Sequence, residues 1–294
     1  MRVAPSPWAR IHGSEMTPSS SVHARITGAD CRMTIGPDAR YRALLEHLAA
    51  HRGQDLSELE LERIRTTLAV IPHDVSTVVD VGCGDGRIVG RLPACVNTVG
   101  VDYSSNALHH FEGNGVCARS EFLPFRDRSV DLALCCEVLE HLPDEMFRRT
   151  LHELGRISRK YILISVPYRE TLRRGYVRCP ACLTIFHVWG HLRRFTRRTV
   201  KNLFPDFTVS TTTFVGKRPP YHLGPVIAVN QRYGNRWAEW DEMSICPRCG
   251  NTLFERTPRN LITMACGVIN MLTSCIIPVS QRNWILTLFV RARP

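Results

Sequence analysis

Residues 78–86 read Val78-Val79-Asp80-Val81-Gly82-Cys83-Gly84-Asp85-Gly86. A β-branched apolar run carries one acid, and glycines then follow at every second position. This is the pattern of a strand that leaves a sheet through a tight turn, where glycine lets the backbone reverse and lets a ligand approach it closely. Asp102 stands 16 residues beyond Gly86, at the end of the next apolar run, 97–102. A carboxylate at that place can accept hydrogen bonds from both hydroxyls of a ribose. The dinucleotide fingerprint needs a third glycine where this chain has Arg87, so the loop does not read as a pyrophosphate cradle.

Working outward, apolar runs at 77–81, 97–102, 130–136 and 160–166 read as strands. Helical periods lie between and before them, at 38–52, 56–70, from Arg87, after Ser104 or Ser105, and at 144–157. Ser57 and Glu60 have the spacing of a capping box. Alternating strands and helices predict an α/β fold with a parallel sheet covered on both faces. Beyond Pro167 the alternation breaks. A short helix at 196–204 with Thr196 as its cap, a strand at 207–215, a buried helix near 260–276 and a strand at 284–291 follow. The expected organisation is a tail (1–36), a helical cap (37–74), a core (75–218), a loop-rich insertion (219–258) and a closing helix and strand (259–294).

The chain has 294 residues, enough for a large core without disulfides. Its formal charge of +11 suits an anionic partner or a basic solvated surface. Residues 261–279 are nearly uncharged, but Asn270, Gly267 and Pro278 favour a helix packed on the sheet over a membrane span. The N-terminal residues show no signal-peptide pattern, so a reducing, cytoplasmic setting is expected for the thiols.

With Leu123-Pro124-Phe125, Asp131 and Glu137-Val138-Leu139-Glu140-His141-Leu142 added to the glycine loop and Asp102, the sequence resembles the class I S-adenosylmethionine-dependent methyltransferases. The resemblance implies a Rossmann-like sheet of seven strands, with 284–291 inserted antiparallel beside 160–166. It implies that Asp80, Gly82, Cys83, Gly84 and Gly86 hold the methionine end of S-adenosylmethionine. Asp102 would bind the ribose, with Tyr103 beside the adenine and Ser120, Glu121 and Phe122 lining its pocket. Cys136 and Glu137 would lie near the reactive methyl. Family members often place an acid for the adenine amino group where this chain has Arg119, and an arginine cannot accept that bond.

Twelve cysteines include two Cys-x-x-Cys turns, Cys179-Pro180-Ala181-Cys182 and Cys246-Pro247-Arg248-Cys249, separated by 63 residues. Each turn aims two thiolates at one point, and four thiolates suit a closed, structural zinc site. A local alternative combines Cys179 and Cys182 with His187 and His191. A zinc shared between the turns would join the segments after the fourth and sixth strands into a lid over the acceptor. Between 166 and 218 there are eleven basic and two acidic residues, interleaved with Tyr168, Tyr176, Phe186, Trp189 and Phe195. Such a surface fits nucleic acid or a phosphorylated glycan or lipid head group.

The acceptor is expected to be a small molecule, glycan or lipid-linked intermediate. Peripheral membrane contact is compatible with the basic surface. RNA is the alternative, and a non-catalytic binding protein is the second alternative. The Asn/Asp-Pro-Pro-Tyr motif of base amine methylation is absent after the third main strand; Arg218-Pro219-Pro220-Tyr221 occurs too late in the chain. His191 and His141 are the candidate catalytic residues. His187 and Tyr168 are further candidates for a base.

Overall fold

The computed structural model describes residues 56–216, 222–238, 245–252, 258–276 and 283–292. The tail, the 38–52 helix and Arg218-Pro219-Pro220-Tyr221 lie outside the described residues.

The sheet is built from β1 (Thr77–Val81), β2 (Asn97–Asp102), β3 (Gly115–Cys117), β4 (Val130–Cys136), β5 (Ser158–Pro167), β8 (Phe207–Val215) and β9 (Trp284–Arg291). Its order is β3-β2-β1-β4-β5-β9-β8. The first five strands run parallel, and β9 is antiparallel to both β5 and β8. Every residue of β1 and β4 is buried, as expected for strands covered on both faces. One face packs on α3 (Asp144–Ile157) and α4 (Arg197–Lys201) through Leu154, Ile157 and Val200. The other packs on α1 (Glu58–Ala69) through Ile64, with Val75, Ile88 and Val89 beside it. Each large aliphatic side chain fully buried in these layers contributes about 1.5–3 kcal/mol.

The seven-stranded sheet and the antiparallel insertion of 284–291 agree with what the family resemblance implies, and six of the strands lie where the sequence places them. So do the caps: Ser57 and Glu60 close a reciprocal capping box on α1, and Ser104 and Thr196 cap α2 (Ser105–Leu108) and α4. Two expectations need correction, on the helix from Arg87 and on the closing helix. The helix from Arg87 shrinks to a 3-10 turn at Val89–Arg91, because Gly90 and Pro93 interrupt it. Within the loop-rich insertion, α5 (Gly224–Tyr233) starts with Pro225 in its first turn. The closing helix, α6 (Leu261–Ile276), does not pack on the sheet. It lies on α5 instead, with Thr263 and Cys266 as its buried residues. Leu261, Met264, Met271 and Ile276 are exposed on it. No helix among the described residues is long and apolar enough to cross a membrane.

Two short strands, β6 (Tyr176–Arg178) and β7 (Ile185–His187), form a separate antiparallel hairpin between β5 and α4. It carries the first cysteine turn.

Candidate active site

The glycine loop leaves β1 at the carboxyl edge of the sheet. Gly82 has φ +79°, and a Cβ there would come within 2.2 Å of Val138 Cγ2. Gly84 and Gly86 also have positive φ, so the turn alternates as the glycine spacing predicted. The Gly82 and Cys83 N–H groups donate to Val101 O, tying the loop to β2. Asp80 is buried behind the turn.

Asp102, at the end of β2, accepts from Gly84 N at 2.8 Å through Oδ2 and from Ser104 N at 2.8 Å through Oδ1. The carboxylate therefore fixes the loop and keeps further lone pairs for a ligand. Tyr103 is half-buried next to it. Ser120 exchanges a hydrogen bond with Thr150 on α3 at 2.8 Å, which engages its hydroxyl. Arg119 turns to Glu121, with Nε 2.6 Å from Oε1, while the buried Glu121 Oε2 has no hydrogen-bond partner among the described residues. Phe122 is exposed and lines, with Glu121 and Arg148, Arg149, His152 and Glu153 of α3, a groove of about 420 Å³.

At the end of β4, Cys135 and Cys136 are buried, and burial pushes both thiols up, so neither is a ready nucleophile. Glu137 takes the left-handed conformation, φ +57°. Its Oε1 accepts from Ser165 Oγ at 3.1 Å and its Oε2 from Trp284 Nε1 at 2.5 Å. Three residues on, Glu140 is fully buried, and neither carboxylate oxygen has a hydrogen-bond partner from another of the described residues. Burial, then repulsion from Glu137, raises its carboxyl well above the usual range.

The segment after β5 folds back over this edge. Leu192 N donates to Glu140 O at 2.8 Å, and Arg169 N to Phe195 O at 2.8 Å. Arg193 binds Leu142 O and Asp144 Oδ1, with its guanidinium 3.9 Å from the Phe147 ring centre. These contacts bring His191 onto His141, the two rings meeting edge to face at 4.9 Å. Glu170 stands behind: its Oε2 is 2.6 Å from His191 Nδ1 and its Oε1 3.4 Å from His187 Nε2. Burial would raise the Glu170 carboxyl, but hydrogen bonds from His187 and His191 outweigh it and hold the group at about 2. Sequence reasoning named the two histidines but missed Glu140 and Glu170. Their only signals are one letter in Glu-x-x-Glu-His and one acid in a run of arginines.

The four cysteines of the two turns converge. Cys179 Sγ lies 3.6 Å from Cys249 Sγ, and Cys182 Sγ lies 3.5 Å from Cys246 Sγ. All four sulfurs are within 4.8 Å of one another. A zinc–sulfur bond of about 2.3 Å gives a tetrahedral edge of roughly 3.8 Å, so the set fits that ion. Leu183 N donates to Cys179 O and Gly250 N to Cys246 O, which closes both turns. Val177, Val188 and Cys179 form a small apolar cluster with Cys246. His187 and His191 are engaged with Glu170 instead of completing a local site with Cys179 and Cys182.

Residues 79–161 match the family model described as a methyltransferase domain. An uncharacterized methyltransferase of Mycobacterium marinum is 30% identical over 180 residues, covering 56% of this chain and 68% of that protein. An uncharacterized protein of Methanocaldococcus jannaschii is 39% identical over 99 residues, and the match spans 32% of this chain and 42% of that one. Among solved structures, the N-methyltransferase NodS of Bradyrhizobium japonicum, in complex with S-adenosylhomocysteine, superposes with TM-score 0.53. That match has 13% identity and covers 86% of this chain and 99% of the other. The chain belongs to the class I S-adenosylmethionine-dependent methyltransferases. It is an enzyme of methyl transfer, with the family's seven-stranded sheet.

Proposed function

We propose that the chain methylates a hydroxyl-bearing small molecule, glycan or lipid-linked acceptor under a zinc-stabilised lid. S-adenosylmethionine supplies an electrophilic methyl group on a sulfonium. In this reading the Gly82–Gly86 turn and Asp80 receive its methionine end, and Asp102 receives the ribose. Tyr103 and the Ser120–Phe122 segment receive the adenine. The buried Glu121 Oε2 takes the place of the acid that Arg119 replaces as acceptor for the adenine amino group. Cys136 and Glu137 wall the methyl side. Glu140, His141, Glu170 and His191 then meet the acceptor hydroxyl and its proton. Cys179, Cys182, Cys246 and Cys249 hold a structural zinc that fixes the lid. Rate comes chiefly from positioning and from exclusion of water.

The observation that carries this reading is the Glu170–His191 hydrogen bond of 2.6 Å at the carboxyl edge of β4 and β5. An ionised carboxylate can only accept, so His191 donates from Nδ1 and turns Nε2 toward the site. An enclosed proton-handling group suits a hydroxyl acceptor.

A second reading, an RNA acceptor, rests on exposed Arg194, Arg197 and Arg198 and on half-exposed Trp189 in the same stretch of chain. The deciding experiment supplies methyl-labelled S-adenosylmethionine to the protein with an extract of its host and treats the product with nuclease. Label that survives in the small-molecule, glycan or lipid fraction supports the first reading. Label released by nuclease selects the second, and absence of any transferred label rejects both.

A further inference from the structure

We infer that Glu140, His141 and His191 form a divalent-cation site at the acceptor end of the cleft, separate from the four cysteines. One ligand atom from each of the three lies within 4.8 Å of the others. Glu140 is the second, independent sign. A fully buried carboxylate with no partner from another of the described residues is costly, and a cation among the two imidazoles supplies what it lacks.

The tautomers choose between the two overlapping sets of three. His187 Nδ1 accepts from Trp189 N and from His191 N, each at 3.3 Å, so its proton sits on Nε2, facing Glu170. The His187 lone pair, on Nδ1, is therefore taken by backbone N–H groups, and its Nε2–H faces Glu170 Oε1 at 3.4 Å, so His187 offers no lone pair to an ion. His191 differs. Its Nδ1 is turned to Glu170 at 2.6 Å, which leaves the Nε2 lone pair as a ligand. A carboxylate behind a ligating imidazole fixes the ring and strengthens the nitrogen as a donor. The backbone bond from Leu192 N to Glu140 O sets the two halves of the site against each other.

Two imidazoles and one carboxylate suit Mn²⁺, Fe²⁺, Co²⁺ or Zn²⁺ and leave coordination positions open. The acceptor oxygen would take one of them. With the His191 Nε2 lone pair on the ion, the ion replaces the imidazole as the group that activates the hydroxyl: the proton leaves to solvent water, and the oxygen forms its bond to the methyl carbon as the carbon–sulfur bond breaks. This role rests on the methyl-transfer reading; the site itself does not.

The test uses Mn²⁺ as the probe on the full chain with its cysteine site zinc-loaded, followed by electron paramagnetic resonance. One Mn²⁺ per chain is expected. Glu140→Gln and His191→Ala should abolish stoichiometric binding while zinc content and S-adenosylmethionine affinity stay as in the wild type. Glu170→Gln, acting through His191, should weaken Mn²⁺ by about 10–100-fold. Absence of stoichiometric Mn²⁺, or binding that survives in both ligand variants, overturns the site. Mn²⁺ bound without any methyl transfer would instead reject the proposed function and leave the site standing. Full transfer by protein free of Mn²⁺ and other such ions would do the reverse.

Discussion

Asp102 Oδ2 accepts the backbone N–H of Gly84 at 2.8 Å, so the carboxylate at the end of β2 holds the glycine turn at the end of β1. The same carboxylate steadies Ser104 N, at the cap of α2. Asp102→Ala should therefore remove a ligand contact and loosen the turn together. S-adenosylmethionine affinity should fall by about 10–100-fold, the size of one or two charge-assisted hydrogen bonds. The sheet does not depend on these bonds, so thermal stability should change little. Isothermal titration checks the affinity, and an unchanged value would take Asp102 out of the ribose role.

The fold was legible because strand signals are local. Thr77–Val81, Val130–Cys136 and Trp284–Arg291 are apolar runs bounded by turn residues, and they became strands at nearly the expected limits. β3 was missed because Gly115–Cys117 has three residues and too little apolar pattern. α6 misleads because its lack of charge resembles a core helix, while burial depends on what the rest of the chain packs against it, here α5 alone at Thr263 and Cys266 among the described residues. The candidate site divides in the same way. The glycine loop and the cysteine turns are spacing motifs. The cluster of Glu140, His141, Glu170 and His191 forms only when the chain after β5 folds back onto the end of β4, which no spacing encodes.

Asp131 anchors the opposite end of β4. Its Oδ2 accepts from Ser76 N at 3.0 Å and Ser76 Oγ at 2.7 Å, and its Oδ1 from Arg159 at 2.6 Å. Burial would raise the carboxyl, but the bonds from Arg159 and Ser76 outweigh that and hold it well below its ordinary 3.8. A depressed native pKa contributes stability that is complete above the unfolded value and is lost as pH falls through the native one. Asp131→Asn should destabilise the wild type by about 2–3 kcal/mol at neutral pH. The gap should narrow as pH drops below 3.8, the ordinary value of the group. Urea unfolding of both proteins between neutral and acid pH measures it, and a gap independent of pH would contradict the ionic role.

Cys246→Ser removes one sulfur from the set of Cys179, Cys182, Cys246 and Cys249. Bound zinc should fall from one per chain to well below that. Metal binding and the folding of so small an apolar cluster are coupled, so the hairpin β6–β7 should lose protection from proteolysis. The sheet lies outside the lobe and should keep its unfolding transition, with S-adenosylmethionine affinity within about threefold of wild type. Acceptor turnover should be lost. Metal analysis with limited proteolysis reads both effects, and a full zinc complement in the variant would point to a local site of Cys179, Cys182 and histidine.

Arg193 tests whether the lid positions His191 or merely covers it. The guanidinium binds Leu142 O and Asp144 Oδ1 and lies 3.9 Å over Phe147. It thereby fastens the lid segment to the first turn of α3, two residues from His191. Arg193→Leu keeps an apolar contact with Phe147 and deletes the charged bonds. Loss of such a bond is typically about 1.5–3 kcal/mol. Part of that loss should appear as freedom of the His191 ring, because Leu192 N to Glu140 O is the neighbouring tie. Acceptor kcat should fall by about tenfold or more, since a displacement of about 1 Å at a reacting group can cost that much. S-adenosylmethionine affinity should stay unchanged, because the glycine loop and Asp102 lie outside the lid. Steady-state kinetics with the acceptor from the labelling experiment separates the two. A variant with normal kcat and a raised acceptor KM would assign Arg193 to acceptor binding and remove it from the positioning of His191.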